Sequence, residues 1–172
     1  LYCGIRHGNT AINRYNLTIE EVVNAARFAY ENKYGSLVLQ SGELETGNFV
    51  SHVDKLLHEI HKVTHGGLRI TLSCGEQEKD TYRRWFESGA HRYLLRIESS
   101  NPQLYNKLHP QNNLHSYHRR LGCLYHLQET GYQVGTGVMI GLPFQTNEDL
   151  AGDLLFMKQF DIDMIGMGPY LE

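Results

Sequence analysis

The apolar residues of this chain alternate between two periods, and that alternation limits the fold more than any other feature. Short runs rich in branched residues fall at Ser36–Gln40, Leu68–Ser73, Arg92–Ile97, Gln133–Ile140 and Met164–Gly168. Continuous runs of this kind mark strands buried on both faces. The segments between them carry helical spacing. The first helix starts at Thr18, with Glu21 three residues on as a capping box, and sets Val22, Ala25, Ala26 and Ala29 on one stripe. The second carries Val53, Leu56, Leu57 and Ile60, and the third Tyr82, Trp85 and Phe86. The fourth runs from about Leu114 to Thr130, with Leu121, Leu124 and Leu127 inward. The fifth opens after Pro143, is capped near Thr146, and carries Leu150, Leu154, Leu155 and Met157. Gly35, Gly89 and Gly131 stand where helices stop.

Strands alternating with amphipathic helices give an α/β fold with a parallel sheet covered by helices, joined by right-handed crossovers. Five units do not close an eight-stranded barrel. The expected architecture is an incomplete parallel (βα) barrel of TIM-barrel type, one domain over residues 1–172, truncated at both ends. A doubly wound sheet is the weaker alternative, because no G-x-G-x-x-G follows the first strand.

Composition excludes several classes. The net charge is −3 and no stretch concentrates Lys and Arg, which argues against nucleic acid as a partner. No apolar run approaches the roughly 18 residues that a membrane span needs. The three cysteines, Cys3, Cys74 and Cys123, are too few and too odd in number for a disulfide framework. They point to a reducing, cytoplasmic setting, in which the sequon Asn16-Leu17-Thr18 carries no weight. The histidines do not assemble a zinc site. His58-Glu59-Ile60-His61 is one residue short of H-E-x-x-H, and His61 and His65 lack a third ligand. His115, His118 and His126 read as solvated helix positions, Arg83-Arg84 as a solvated pair, and Trp85 as core.

In parallel βα architectures the active site lies at the C-terminal ends of the strands. The first strand ends in Gln40-Ser41-Gly42-Glu43, and the second presents Thr71, Ser73 and Cys74 before Gly75-Glu76. The third ends with Arg96 and Glu98, the fourth with Met139, Gly141 and Pro143, and the fifth with Met167, Gly168 and Pro169. Arg96 and Glu98 are two apart, so on a strand both point to the lumen. Two readings fit them: an ion pair at a barrel rim, or, with Glu43 opposite, a clamp for a zwitterion. Ser41-Gly42-Glu43 also reads in two ways, as a turn with an exposed glutamate or as backbone brought close to a ligand's ammonium group.

These segments, in this order, resemble the radical S-adenosylmethionine superfamily. Leu1-Tyr2-Cys3-Gly4 is similar to the end of its cluster motif, C-x-x-x-C-x-Φ-C, and Ser41-Gly42-Glu43 to its GGE-type element. Leu37–Glu43, Thr71–Ser73, Arg92–Glu98, Gly137–Pro143 and Asp163–Pro169 resemble the HydE family of [FeFe]-hydrogenase maturases, with the biotin and methylornithine synthases as more distant relatives. The resemblance spans essentially the whole chain. It implies a [4Fe–4S] cluster held by three cysteine thiolates, and S-adenosylmethionine cleaved by one electron to a 5′-deoxyadenosyl radical. Carried over, Cys3 is a cluster ligand and Tyr2 lies near the adenine. Gln40, Ser41, Gly42 and Glu43 meet the methionine amino end. Arg96 and Glu98 face the cofactor, and Arg120 takes the carboxylate, with the adjacent Arg119 as fallback. Thr71 and Ser73 are contacts on the barrel floor, and Met139 and Gly141 line the nucleoside region. The other two cluster cysteines are expected upstream of Leu1. Cys74 and Cys123 do not replace them: Cys123 reads as a small buried hydrophobe, and Cys74, close to the lumen, as packing.

The implied function is assembly of the hydrogenase H-cluster from a small-molecule or small iron-complex substrate, with other maturases and an electron donor as partners. The alternatives are a radical enzyme acting on a small organic substrate, as biotin and methylornithine synthases do, and a non-catalytic fragment that binds no cluster. A cofactor-free lyase using Glu43 or Glu98 as base would need neither iron nor S-adenosylmethionine.

Overall fold

The computed structural model of the chain describes Gly4 and residues 8–171. Helix α1 (Ile19–Glu31) leads into β1 (Ser36–Gln40), α2 (Gly47–Thr64), β2 (Arg69–Ser73), α3 (Lys79–Glu87) and β3 (Arg92–Leu94). A short helix α4 (Pro102–Leu108) and a 3₁₀ turn (Asn113–His115) follow, then α5 (Tyr117–Thr130), β4 (Gln133–Ile140), α6 (Asn147–Gln159) and β5 (Met164–Pro169). The strands pair in chain order, all parallel, and the sheet curls into half a barrel. The expected partial (βα) barrel is the fold observed.

Strand alternation sorts the residues into two faces. Leu37, Leu39, Ile70, Leu72, Tyr93, Leu95, Ile97, Val134 and Val138 point outward and pack against the helices. Leu57 and Ile60 of α2, Tyr82 and Trp85 of α3, and Leu124 and Leu127 of α5 are fully buried there. Each such leucine contributes about 2 kcal/mol in transfer from water. The inner face carries Val38, Gln40, Thr71, Ser73, Arg92, Leu94, Gly135, Gly137, Met139, Gly166 and Gly168, neighbours in the pairing register. Glycine is required at the β4–β5 seam. A Cβ on Gly137 would stand 2.1 Å from the Gly166 carbonyl oxygen and 2.8 Å from Arg96 Nη1.

Several expectations need correction. The third strand is regular only to Leu94. Beyond it the Thr136 hydroxyl donates to Leu95 O at 2.8 Å and accepts from Ile97 N at 3.0 Å, standing in for ladder bonds. Glu98 then takes φ 61° while its N–H bonds Gly137 O. The fourth helix begins at Tyr117, capped by Ser116, and Leu114 lies exposed in the 3₁₀ turn. Helix α4 was not expected. On α6, Leu154 and Leu155 are exposed, because the helix turns Asp153 and Met157 inward instead. Asp153 Oδ1 accepts the Ser100 N–H at 2.6 Å, while its buried Oδ2 has no hydrogen-bond partner among the described residues. On α1 Val23 is buried, and Ala25 faces out. The capping boxes at Thr18 and Thr146 are both present.

Candidate active site

At the C-terminal ends of the strands the polar residues form two ionic groups. In the first, Arg96 grips Glu98 with one edge of its guanidinium, Nε to Oε1 at 2.6 Å and Nη2 to Oε2 at 3.1 Å, while Nη1 reaches Gly166 O at 3.3 Å. Such a bidentate pair is geometrically rigid. Glu98 is buried and Arg96 half-buried.

The second group joins four elements. Arg120 of α5 is buried at 7% exposure. Its Nε donates to Glu76 Oε1 at 2.5 Å, Nη2 to Glu43 Oε1 at 2.9 Å, and Nη1 to Arg96 O at 2.9 Å. One guanidinium thus ties together the ends of β1, β2 and β3. Arg119 lies beside it, Nη2 at 2.6 Å from Glu45 Oε1 and Nε at 3.1 Å from Glu76 Oε2. Burial opposes the Arg120 charge, but the Glu43 and Glu76 carboxylates outweigh it and hold its pKa above the usual arginine value. Burial pushes the Glu76 carboxyl upward, against the pull of Arg120.

The loop after β1 is placed by these contacts. Ser41 N extends the sheet to Ser73 O at 3.1 Å, and the Ser41 hydroxyl bonds Gly42 O. Glu43 lies across Gly75, whose φ of +74° and missing Cβ are both needed; a Cβ there would meet Glu43 Cγ at 2.1 Å. Gln77 Nε2 holds Leu44 O at 2.9 Å, and Tyr93 Oη holds Gly75 O at 2.8 Å.

The structure therefore brings Gln40, Ser41, Gly42, Glu43, Ser73, Arg96, Glu98 and Arg120 to one end of the sheet. Thr71 lies deeper, buried on the inner face. Met139 sits on the same face, and Gly141 follows β4 with φ 87° and its N–H on Gln145 Oε1. From the end of β1 Glu43 bonds Arg120, which in turn reaches the Arg96 carbonyl, and the Arg96–Glu98 pair closes on itself. Tyr2 and Cys3 lie outside the described residues.

Sequence reasoning missed three contributors. Glu76 follows the second strand end and is given no role by the sequence, yet it is 1% exposed between the two arginines. Tyr105 comes from α4 and is fully buried; burial pushes its phenol up to about 12, with Arg120, Glu76 and Glu43 all acting on it. The Asn101-Pro102 pair, an N-cap followed by proline at the first helical position, is the signal that announces α4. His115 is half-buried, not solvated, with Nε2 3.9 Å from Glu43 Oε2, and His126 is half-buried too.

Among the described residues no group of three or more His, Cys, Asp or Glu is arranged to hold a metal ion. Cys74 and Cys123 point into the core, with Sγ 4.0 Å from Leu39 O and 3.6 Å from Gln77 O. Burial raises both thiol pKa values, so neither suits a thiolate ligand. A cavity of about 210 Å³ lies at the opposite end of the strands, lined by His61, Arg69, His91 and Arg92 among others, and contains no residue of either ionic group. The site itself is a groove, since half a barrel leaves its inner face open.

Comparison with known proteins bears on the family and the fold. The family model described as Radical SAM superfamily matches residues 1–157. The [FeFe] hydrogenase maturase subunit HydE of Thermotoga maritima is 45% identical over 99% of the chain and 47% of its own length. The chain thus spans about half of that relative. Among solved structures, methylornithine synthase superposes with a TM-score of 0.82 at 25% identity, over 93% of this chain and 46% of that one. The maturase HydG of Carboxydothermus hydrogenoformans gives 0.83 at 23% identity, over 99% and 41%, a likeness of fold.

Proposed function

The chain belongs to the radical SAM superfamily, and on that footing we propose that the protein is a HydE-type radical enzyme of [FeFe]-hydrogenase cofactor assembly. The observation that carries this reading is the 45% identity to a HydE along 99% of the chain. The cofactors would be a [4Fe–4S] cluster and S-adenosylmethionine. When bound, they supply a one-electron cleavage of a carbon–sulfur bond that yields a 5′-deoxyadenosyl radical.

The described residues fit the nucleoside cofactor. An amino-acid zwitterion needs a carboxylate and a cation at short range, and Glu43 and Arg120 stand 2.9 Å apart at one rim. A flat nucleoside needs space, and at Gly168 on the inner face an added Cβ would meet nothing within 4 Å. In this reading Gln40, Ser41, Gly42 and Glu43 receive the ammonium group, and Arg120 the carboxylate. Arg96 and Glu98 face the cofactor from the end of β3, held against each other and against β5. Thr71 and Ser73 contact the substrate or the cofactor from the floor, and Met139 and Gly141 border the nucleoside. Tyr2 lies by the adenine, and Cys3 holds the cluster with two cysteines from outside this chain. The buried ion pairs keep these groups fixed, so the site need not reorganise as charge moves.

The substrate would be a small molecule or small iron complex, and the partners other maturases and an electron donor, in the cytoplasm. No helix among the described residues is long and apolar enough to cross a membrane. The test is anaerobic reconstitution of the full-length protein with iron and sulfide. A [4Fe–4S] spectrum that changes on adding S-adenosylmethionine, and 5′-deoxyadenosine released under a strong reductant, are expected. Both should vanish in Cys3→Ala. Turnover of an organic substrate of the methylornithine synthase type, with no effect on hydrogenase maturation, would replace this reading.

A further inference from the structure

Glu76 has no route to a ligand. Its side chain is 2% exposed, against 37% for Glu43, and it lies behind the two arginines. It nevertheless sits at the centre of the charged network. One oxygen takes the Nε of Arg120 and the other faces the Nε of Arg119. Both arginines therefore present their Nε edges to the same carboxylate. Their Nη2 atoms are left for Glu43 and Glu45, which stand on the otherwise irregular loop between β1 and α2. The platform under Glu76 is itself fixed, by Gln77 N donating to Tyr82 Oη and by Tyr93 Oη on Gly75 O.

We propose that Glu76 is a positioning residue for S-adenosylmethionine: by holding the Nε edges of Arg119 and Arg120, it aims their outer nitrogens and sets the β1–α2 loop for the cofactor's amino-acid end. This rests on the reading of the site given above. Without Glu76, Arg120 would keep Glu43 and the Arg96 carbonyl as partners, and Arg119 would keep Glu45 and the exposed Glu78. Arg120, which already bonds Glu43 at 2.9 Å, would then hold it more tightly, at the expense of a ligand ammonium group. The effect falls first on the amino-acid end, since the side chains Glu76 pairs with are the two arginines assigned to it.

The test uses the full-length protein with its cluster, and compares binding of S-adenosylmethionine with 5′-methylthioadenosine, which lacks the amino-acid end. Wild-type protein should prefer S-adenosylmethionine. Glu76→Gln, which keeps the volume and removes the charge, should weaken S-adenosylmethionine at least tenfold and change methylthioadenosine by less than twofold, as read by titration calorimetry. Glu76→Asp should fall between. Equal loss of both ligands, or no loss of either in a folded variant, overturns the inference. A wild type that does not distinguish the two ligands overturns the reading of the site itself. Should Glu76→Gln not fold, Arg119→Lys carries the test from a side chain that is 23% exposed. It keeps the charge and loses the fork, so a smaller loss confined to S-adenosylmethionine is expected. A loss shared by both ligands, or none, overturns the inference.

Discussion

Single residues at this site are held by more than one constraint. Gly75 is an example. Replacing it with alanine adds a Cβ at φ +74° and drives it into Glu43. The backbone term alone costs about 1–2 kcal/mol. Gly75→Ala should lower stability to chemical denaturation by at least that much and weaken S-adenosylmethionine binding as Glu43 is displaced. His109 makes a different prediction. Its ring stacks on Tyr105 at 3.7 Å, its Nδ1 lies 2.8 Å from Tyr105 O, and burial lowers its pKa from 6.5 to about 4. In the unfolded chain it takes a proton below about pH 6.5, while the folded form stays neutral to about pH 4. Stability is therefore fully present above pH 6.5 and falls as pH drops toward 4, by up to about 3 kcal/mol. Equilibrium denaturation across that window should show the slope, and His109→Phe should flatten it. Of these residues the sequence made Glu43, Arg96, Glu98 and Arg120 visible, because each falls at a strand end or in a motif. Glu76 and Tyr105 were not visible. Their importance comes from Arg120, 44 and 15 positions away along the chain, and no local pattern records such a contact.

Among the elements, β3 and α4 together explain how the third crossover differs from the others. The Thr136 hydroxyl ends the regular strand by taking the place of backbone partners for Leu95 and Ile97. Thr136→Val keeps the shape and leaves a buried N–H unpaired, a loss of about 1–3 kcal/mol. Faster hydrogen exchange at Ile97 would accompany it, and unchanged exchange there would speak against this account. The apolar run to Ile97 gave no warning, because the interruption comes from a side chain on a neighbouring strand. Helix α4 then carries Leu104 and Leu108 onto Leu142, with Met139 and Tyr170 against them, beside the strand ends. Its cap, Asn101, accepts from Gln103 N at 2.9 Å and donates to Asp149 at 2.6 Å. Asn101→Ala should cost about 1 kcal/mol in the cap and loosen the helix that brings Tyr105 to Arg120. Helices with a clear stripe, such as α2, read correctly from spacing. Helix α6 did not, because a buried carboxylate replaced a leucine as its inward anchor.

At the scale of the molecule, the parallel order of β1–β5 follows from the alternation of strands and helices, and was legible for that reason. What periodicity cannot carry is the extent to which each surface is covered. β1 and β5 each have one strand neighbour among the described residues, and Ile165, Met167, Leu154 and Leu155 are exposed at the β5 side. Unpaired edges with apolar flanks associate. A preparation of residues 1–172 alone should sediment as a concentration-dependent mixture, and Leu155→Lys should shift it toward the monomer. The core carries a further consequence for anyone loading iron into this protein. Cys74 and Cys123 are shut between sheet and helices. Iron and sulfide offered to the folded chain meet no stray thiol in this sheet, so cluster assembly has no competing sink here. An alkylating reagent should count two more sulfhydryls after denaturation than before it, a simple check that a loaded sample is still native.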